Sequence, residues 1–392
     1  MIYFTYILLL FFLVFHYDIR RKTKCKDTWY VGLCVATILI AGLRYRLGVD
    51  TIQYIDFFYH EVPYLGDFQN ADKIVLWEPL YFFINSIVKS LGGKFYVVQL
   101  IQASIVNLLI FKYIKKHSDY VFMCVLFYFI WLFFSFTMEE MRASISVAIC
   151  LFGNDYFLER KRMKGFLLYA VAFLFHNSTI ILFITPFLLF LKFNLWGSLF
   201  LVVTPIFGLY IQNRFGEYLL LENQEYVLLM KAQGYINNDK YLVEHNLFYY
   251  LVDIGIYVYY SVLSICCIRN KDSKIRSLQP FLLIGLFFLM LQSNLGILYR
   301  VVNFYLVYFI LFFVEYFMSL IKKSSLDIKL AFFRSIVIFL PFFYVVSTKY
   351  LTDYKRYYPY SSVIERDVDR NREALYHHYR TDVSLLIREN EY

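Results

Sequence analysis

The chain has 392 residues, of which 60% are apolar, 22% aromatic and only 18% charged, with a net charge of +9. A soluble domain carries about half its residues as polar or charged groups, so this composition excludes one. The basic excess does not call for nucleic acid, because the basic residues gather in short segments between apolar runs, as the positive-inside bias of membrane proteins requires.

The first run, IYFTYILLLFFLVF, is followed by the basic stretch Arg20–Lys26 and by no small-residue cleavage site, so it reads as a retained first helix. Apolar runs of about 20 residues match the hydrocarbon core of a bilayer, where a lone segment satisfies its backbone only as a helix. Spans are expected near 1–17, 28–45, 95–112, 120–137, 141–158, 165–176, 178–192, 196–212, 247–268, 279–297, 300–321 and 329–347. Between the second and third lies EPLYFFINSIVKSLGG, residues 78–93, apolar but too short to stand upright across a membrane. Basic clusters recur as RRKTKCK, KYIKK, ERKRMK, IRNKDSKIR and IKKSSLDIK. Placing each cluster on the cytoplasmic side starts the chain outside and makes 78–93 a re-entrant or interfacial element. A full span there would put the lysines of KYIKK outside.

The expected fold is therefore an all-α polytopic membrane protein of about twelve transmembrane helices plus one re-entrant segment. One helical domain is expected over 1–347, with outer loops at 46–77 and 213–246, followed by an extracytoplasmic charged tail over 348–392. That tail is expected to lie on the membrane as a short amphipathic helix or to cover part of an outward cavity. Cys25, Cys34, Cys124, Cys150, Cys266 and Cys267 have no metal-ligand spacing and read as reduced thiols, mostly buried.

Sorted by depth, the remaining ionisable residues gather at the outer ends of the expected spans. Arg44, Arg46 and Asp50 follow the second span, and Glu78 opens the short segment. Glu139, Glu140 and Arg142 form the turn MEEMR, His176 lies in FHNST, and Arg300 lies in LYRVVNF. Each has a plain reading. A lone arginine near a helix end snorkels to headgroups, Asp50 pairs with a neighbouring arginine, and His176 caps a turn. Four arginines at one depth with carboxylates between them point instead to a cavity for an anionic ligand, since the planar guanidinium fork suits phosphate oxygens. Asp367 and Asp369 resemble a metal-holding acidic pair but read as part of a solvated, charged helix. There is no phosphate-binding glycine loop, nucleophile elbow or His/Cys metal cluster, so chemistry without metal or cofactor is expected.

In order, RYRLGVDTIQY, EPLYFFIN, MRASISVAI, HNSTI, YRVVNFYLVYF and YPYSS resemble the EpsG family of Wzy-like bacterial polysaccharide polymerases. The resemblance spans about residues 28–361 and rests on the order of the motifs, none of which is specific alone. It implies a membrane glycosyltransferase of GT-C-like architecture in the bacterial cytoplasmic membrane, with its site facing outward. Such an enzyme polymerises undecaprenyl-diphosphate-linked oligosaccharide units into exopolysaccharide, capsule or O-antigen. A hydroxyl of one unit attacks the anomeric carbon of another, and the lipid diphosphate leaves. The arginines expected to hold that diphosphate are Arg44, Arg46, Arg142 and Arg300. The candidates for the base are Asp50, His176 and Glu78, in that order of preference. Tyr54, Tyr299 and Tyr360 suit sugar stacking, with an interfacial aromatic belt as the plain alternative. Implied partners are the lipid-linked oligosaccharide, the bilayer, and flippase and chain-length or export proteins, with no nucleic acid. An O-antigen-ligase-like transferase, a lipid-linked sugar flippase or exporter, and a membrane acyltransferase are the competing classes.

Overall fold

The structure, a computed structural model, describes residues 2–70, 78–190, 204, 274–292, 298–323 and 354–371. The expected spans at 247–268 and 329–347, nearly all of 196–212, the loop 213–246, and the last part of the tail lie outside the described residues. The described elements are helical, with one isolated antiparallel bridge between Arg44 and Ser362. Three stretches among them are long and apolar enough to cross a membrane: Ile2–Ile19, Phe95–His117 and Val121–Glu139. The chain divides into two compact units, one of residues 1–179 with 332–392 and one of residues 180–331.

In the first unit, α1 (Ile2–Leu13) runs on as a π-helical turn to Ile19 and is followed by α2 (Lys26–Gly42). Then come α3 (Val49–Asp56), α4 (Pro79–Ser90) and α5 (Phe95–His117). Helix α6 (Val121–Tyr128) continues as a π-helix through Glu139, and α7 (Met141–Leu158) and α8 (Arg162–Phe175) complete the bundle.

Polar contacts at the two ends of this bundle fix the directions of the long helices. At one end Lys115, near the end of α5, pairs with Asp27 at the start of α2 at 2.7 Å. Asp18 at the end of the first stretch accepts the Met123 amide of α6 at 2.7 Å. Asp155, late in α7, takes Lys116 at 2.7 Å and His117 at 3.0 Å. Successive long helices therefore alternate in direction, and the opposite end of the bundle collects the end of α2 and the starts of α5 and α7. Toward that opposite end, Gln102 of α5 donates to the Thr137 carbonyl at 3.1 Å and to Ser144 of α7 at 2.8 Å, and Tyr128 bonds Asn107 and Thr137. Buried side-chain amides and hydroxyls are costly in an apolar medium unless paired, and these partners hold α5, α6 and α7 in register.

Helix α4 differs from the long helices. Its 12 residues span about 18 Å at the α-helical rise, well short of a bilayer core. Lys89 near its end donates to the carbonyls of Phe58, Tyr59 and Val62 at 2.6–3.1 Å, and Gly92, at φ +74, turns the chain directly into α5. Within the loop expected at 46–77 the chain forms α3, whose Thr51, Ile52 and Tyr54 are buried. This helix is too short for apolar length to reveal it.

The segment 354–371 also belongs to the first unit. The Tyr45 amide donates to the Ser361 carbonyl at 2.9 Å, Val363 to Leu43 at 2.9 Å, and Gly48 to Arg356 at 3.2 Å. The beginning of the charged tail is thus stitched onto the loop after α2. In the second unit, α9 (Gln279–Gln292) packs on α11 (Leu306–Lys323) and the preceding turn, stacking Phe281 on Tyr308 and Phe288 on Tyr305. The short α10 (Tyr299–Val302) precedes α11.

Candidate active site

The starts of α4 and α7 and the end of α8 bring three charged or titratable side chains together. Glu78 caps α4 in extended backbone (ψ 119), because the following Pro79 disfavours the helical region for the residue before it while starting the helix itself. Glu78 is 4% exposed. One of its oxygens is ion-paired with the Arg142 guanidinium at the start of α7. The other lies 3.0 Å from Nδ1 of His176, the residue that ends α8. Arg142 Nε donates to the Tyr54 hydroxyl at 3.4 Å, with the guanidinium 5.6 Å from that ring. Tyr54 in turn packs edge-on against Tyr81 of α4.

The electrostatics of Glu78 follow from these neighbours. Burial pushes its carboxyl up, but the His176 hydrogen bond and the Arg142 charge outweigh burial and hold it down at about 2. An ionised carboxylate only accepts, so His176 Nδ1 carries the proton of that bond. In the neutral ring this leaves the lone pair on Nε2. Glu78 is thus too weak a base to take a proton from a hydroxyl near neutral pH, and it orients both His176 and Arg142.

A second corner lies at the start of α3. Gly48 has φ +93, and a Cβ there would lie 2.8 Å from the Glu139 Cγ, so only glycine fits. The turn lets Glu139 accept the Val49 amide at 2.9 Å at the start of α3, with Arg356 3.7 Å from its other oxygen. Asp50, in the first turn of α3, sits within electrostatic reach of Glu139 and of Tyr54.

The two neighbouring arginines part company. Arg44 is fully buried and donates to the backbone carbonyls of Ala41 and, at 2.6 Å, Met138. Arg46, at φ +51, lines a cavity of about 350 Å³. Tyr360 donates to the Ile40 carbonyl at 3.2 Å and packs edge-on against Tyr3. In the second unit Arg300 and Tyr299 contact each other, Nε donating to the phenolic oxygen at 3.0 Å. Of the residues singled out in the sequence, then, Glu78, Arg142, His176 and Tyr54 form one contact network, with Asp50 beside it. Glu139 and Arg356 complete the corner around Asp50. Glu139 is visible in the sequence only as one acid of MEEMR, and Arg356 carries no sequence signal because its partner is far away in the chain.

Among the described residues no group of three His, Cys, Asp or Glu side chains is arranged to hold a metal ion. Comparison with curated proteins and with solved structures finds no match. The model of the EpsG family matches residues 27–362, which include every member of the Glu78 network and the stitched segment up to Ser362. With its long apolar helices, that match makes this a membrane protein of polysaccharide-polymerase type. The chain belongs to the EpsG family.

Proposed function

We propose that this protein is a glycosyltransferase that joins oligosaccharide repeat units carried on undecaprenyl diphosphate, at the outer face of the bacterial cytoplasmic membrane. The observation that carries the reading is the Glu78–Arg142–His176 network, three residues from distant parts of the chain meeting at one end of the bundle within the family-matched region. An acceptor sugar hydroxyl attacks the anomeric carbon of the donor unit. The new glycosidic C–O bond forms as the bond to the lipid diphosphate breaks, and the leaving oxygen takes the electron pair.

In this reading His176 accepts the hydroxyl proton through Nε2, held in the right tautomer by Glu78. What supports His176 as the base is this carboxylate–imidazole pairing, which fixes the lone pair on Nε2. Arg142 stabilises the charge that develops on the leaving oxygen, and 23% of its side chain remains exposed to meet a ligand. The site faces outward because the opposite end of the bundle carries Lys115, Lys116 and Lys161, as a cytoplasmic end should.

The test is polymer formation by purified protein from lipid-linked repeat units. His176→Gln should lower turnover about a hundredfold while leaving the protein folded. Arg142→Lys, which keeps the charge and loses the fork, should do the same. Wild-type polymer yields from both variants would remove the network from catalysis.

A further inference from the structure

Arg142 is held from two sides. Its guanidinium is ion-paired with Glu78, and its Nε donates to the Tyr54 hydroxyl at 3.4 Å. For a planar fork, one contact sets the position and a second sets the plane. That second contact comes from α3, and a helix of eight residues does not hold itself in place. Whatever holds α3 therefore helps to aim Arg142.

Both ends of this helical segment are tied by side chains from elsewhere in the chain. At its start Glu139, the last residue of the π-helical continuation of α6, accepts the Val49 amide at 2.9 Å. It thereby satisfies a donor that the first turn of a helix leaves unpaired. The Glu139 side chain is 12% exposed, and its second oxygen lies 3.7 Å from Arg356 of the tail. The Tyr357 hydroxyl bonds the same carboxyl, while the Arg356 carbonyl accepts the Gly48 amide at 3.2 Å. The backbone just before Glu139 is fixed as well, because Arg44 donates to the Met138 carbonyl at 2.6 Å. At the far end α3 continues as the π-helical turn Phe57–Glu61, where Lys89 takes the carbonyls of Phe58, Tyr59 and Val62. An acid at the start and an ammonium at the end are the groups a helix dipole favours there. Between the clamps, aromatic rings dock the segment: Tyr54 on Tyr81 at 5.7 Å, Phe57 on Phe82 at 6.1 Å and Phe58 on Phe95 at 5.9 Å. The hydroxyl of buried Tyr54 is thereby carried to Arg142.

We propose that Glu139 is a positioning residue for Arg142: braced by Arg356 and Tyr357 of the tail, it caps α3 and so holds the Tyr54 hydroxyl on the guanidinium. The proposal rests on the polymerase reading, in which Arg142 stabilises charge on the leaving oxygen. It gives the stitched tail a part in turnover that is exerted through α3.

The experiment measures kcat and KM for polymer formation by the purified full-length protein from lipid-linked repeat units, with hydrogen–deuterium exchange of the α3 amides alongside. Glu139→Ala removes the cap, so exchange over 49–56 should speed up at least about tenfold. Its kcat should fall at least about tenfold with KM within about threefold, since Arg142 works in the transition state. Glu139→Gln keeps an acceptor for the Val49 amide and should recover kcat to within about threefold of wild type, which the loss of a proton-transferring group would not allow. Gly48→Ala, whose Cβ would press on the Glu139 Cγ, should resemble Glu139→Ala and stands in for it if that variant does not fold. In a Tyr54→Phe background Glu139→Ala should cost no further kcat, because the hydroxyl it positions is gone. Faster exchange with unchanged kcat makes Glu139 a structural cap alone and overturns the proposal. Losses that add to those of Tyr54→Phe overturn it too, as does a Glu139→Gln protein no more active than Glu139→Ala. Wild-type yields from both Arg142→Lys and His176→Gln remove the polymerase reading of the network, and this proposal with it. A loss in Arg142→Lys with none in Glu139→Ala or Gly48→Ala removes this proposal and keeps the reading.

Discussion

Two carboxylate–histidine–cation clusters lie at opposite ends of the first unit, composed of nearly the same residue types. At one end Asp155 takes Lys116 at 2.7 Å and His117 at 3.0 Å. At the other Glu78 takes Arg142 and, at 3.0 Å, His176. In the first cluster Lys116 and His117 adjoin in sequence at the end of α5, and Lys116 also reaches Glu159, itself paired with Lys161. The Lys116 side chain is 46% exposed, against 23% for Arg142. A flexible, solvated ammonium of this kind anchors a helix end and contributes little to stability. The second cluster is assembled from the starts of two helices and the end of a third, and its cation is the planar fork that fits phosphate oxygens. The pairing of residue types does not decide the role. The elements that deliver them, and the solvent they keep, do.

The sharpest way to break this comparison is to ask whether the two ends face opposite sides of a membrane. A His60→Cys protein should react with an impermeant maleimide in whole cells, once any outer membrane is permeabilised. Lys115→Cys should react only after lysis. Labelling at position 115 in intact cells would put the lysine-rich end outside and remove the argument for an outward site.

The next effect concerns the carboxylates themselves. Glu78→Gln frees His176 to adopt either tautomer and leaves Arg142 without its counter-ion, so polymer formation should fall by at least about tenfold. Asp155→Asn should leave polymer formation within about twofold of wild type, because the cluster lies at the opposite end of the bundle from the Glu78 network and its Lys116 is half-exposed. Polymerisation assays on purified variants, normalised to folded protein, decide between these outcomes. Equal losses would erase the functional distinction between the clusters.

The smallest effect is in acid. The Glu78 carboxyl is depressed from 4.5 to about 2 in the folded protein, so its contribution to stability is fully present above 4.5 and is lost as pH falls from there toward 2. Between about pH 5 and pH 3 the melting temperature of the wild-type protein in micelles should therefore fall more than that of Glu78→Gln. Parallel curves would mean that Glu78 is not held ionised by its partners.

Several things could be read from the sequence alone, because they depend on local composition. Apolar runs set where α1, α5 and α6 lie, since length and hydropathy suffice for a helix in lipid. The shortness of α4 and the Glu78–Pro79 start could be read the same way. Which arginine does what could not. Arg44 and Arg46 sit two residues apart in one loop, yet one is buried against backbone carbonyls from two segments and the other lines a cavity. The turn at Gly48, the Glu139 side chain beside it and the tail segment that bonds to Tyr45 hold the loop in which the two diverge. The same holds for the meeting of Glu78, Arg142, His176 and Tyr54. Such contacts join residues far apart in the chain, where side-chain identity is written in the sequence but proximity, burial and solvent are set only when the helices pack.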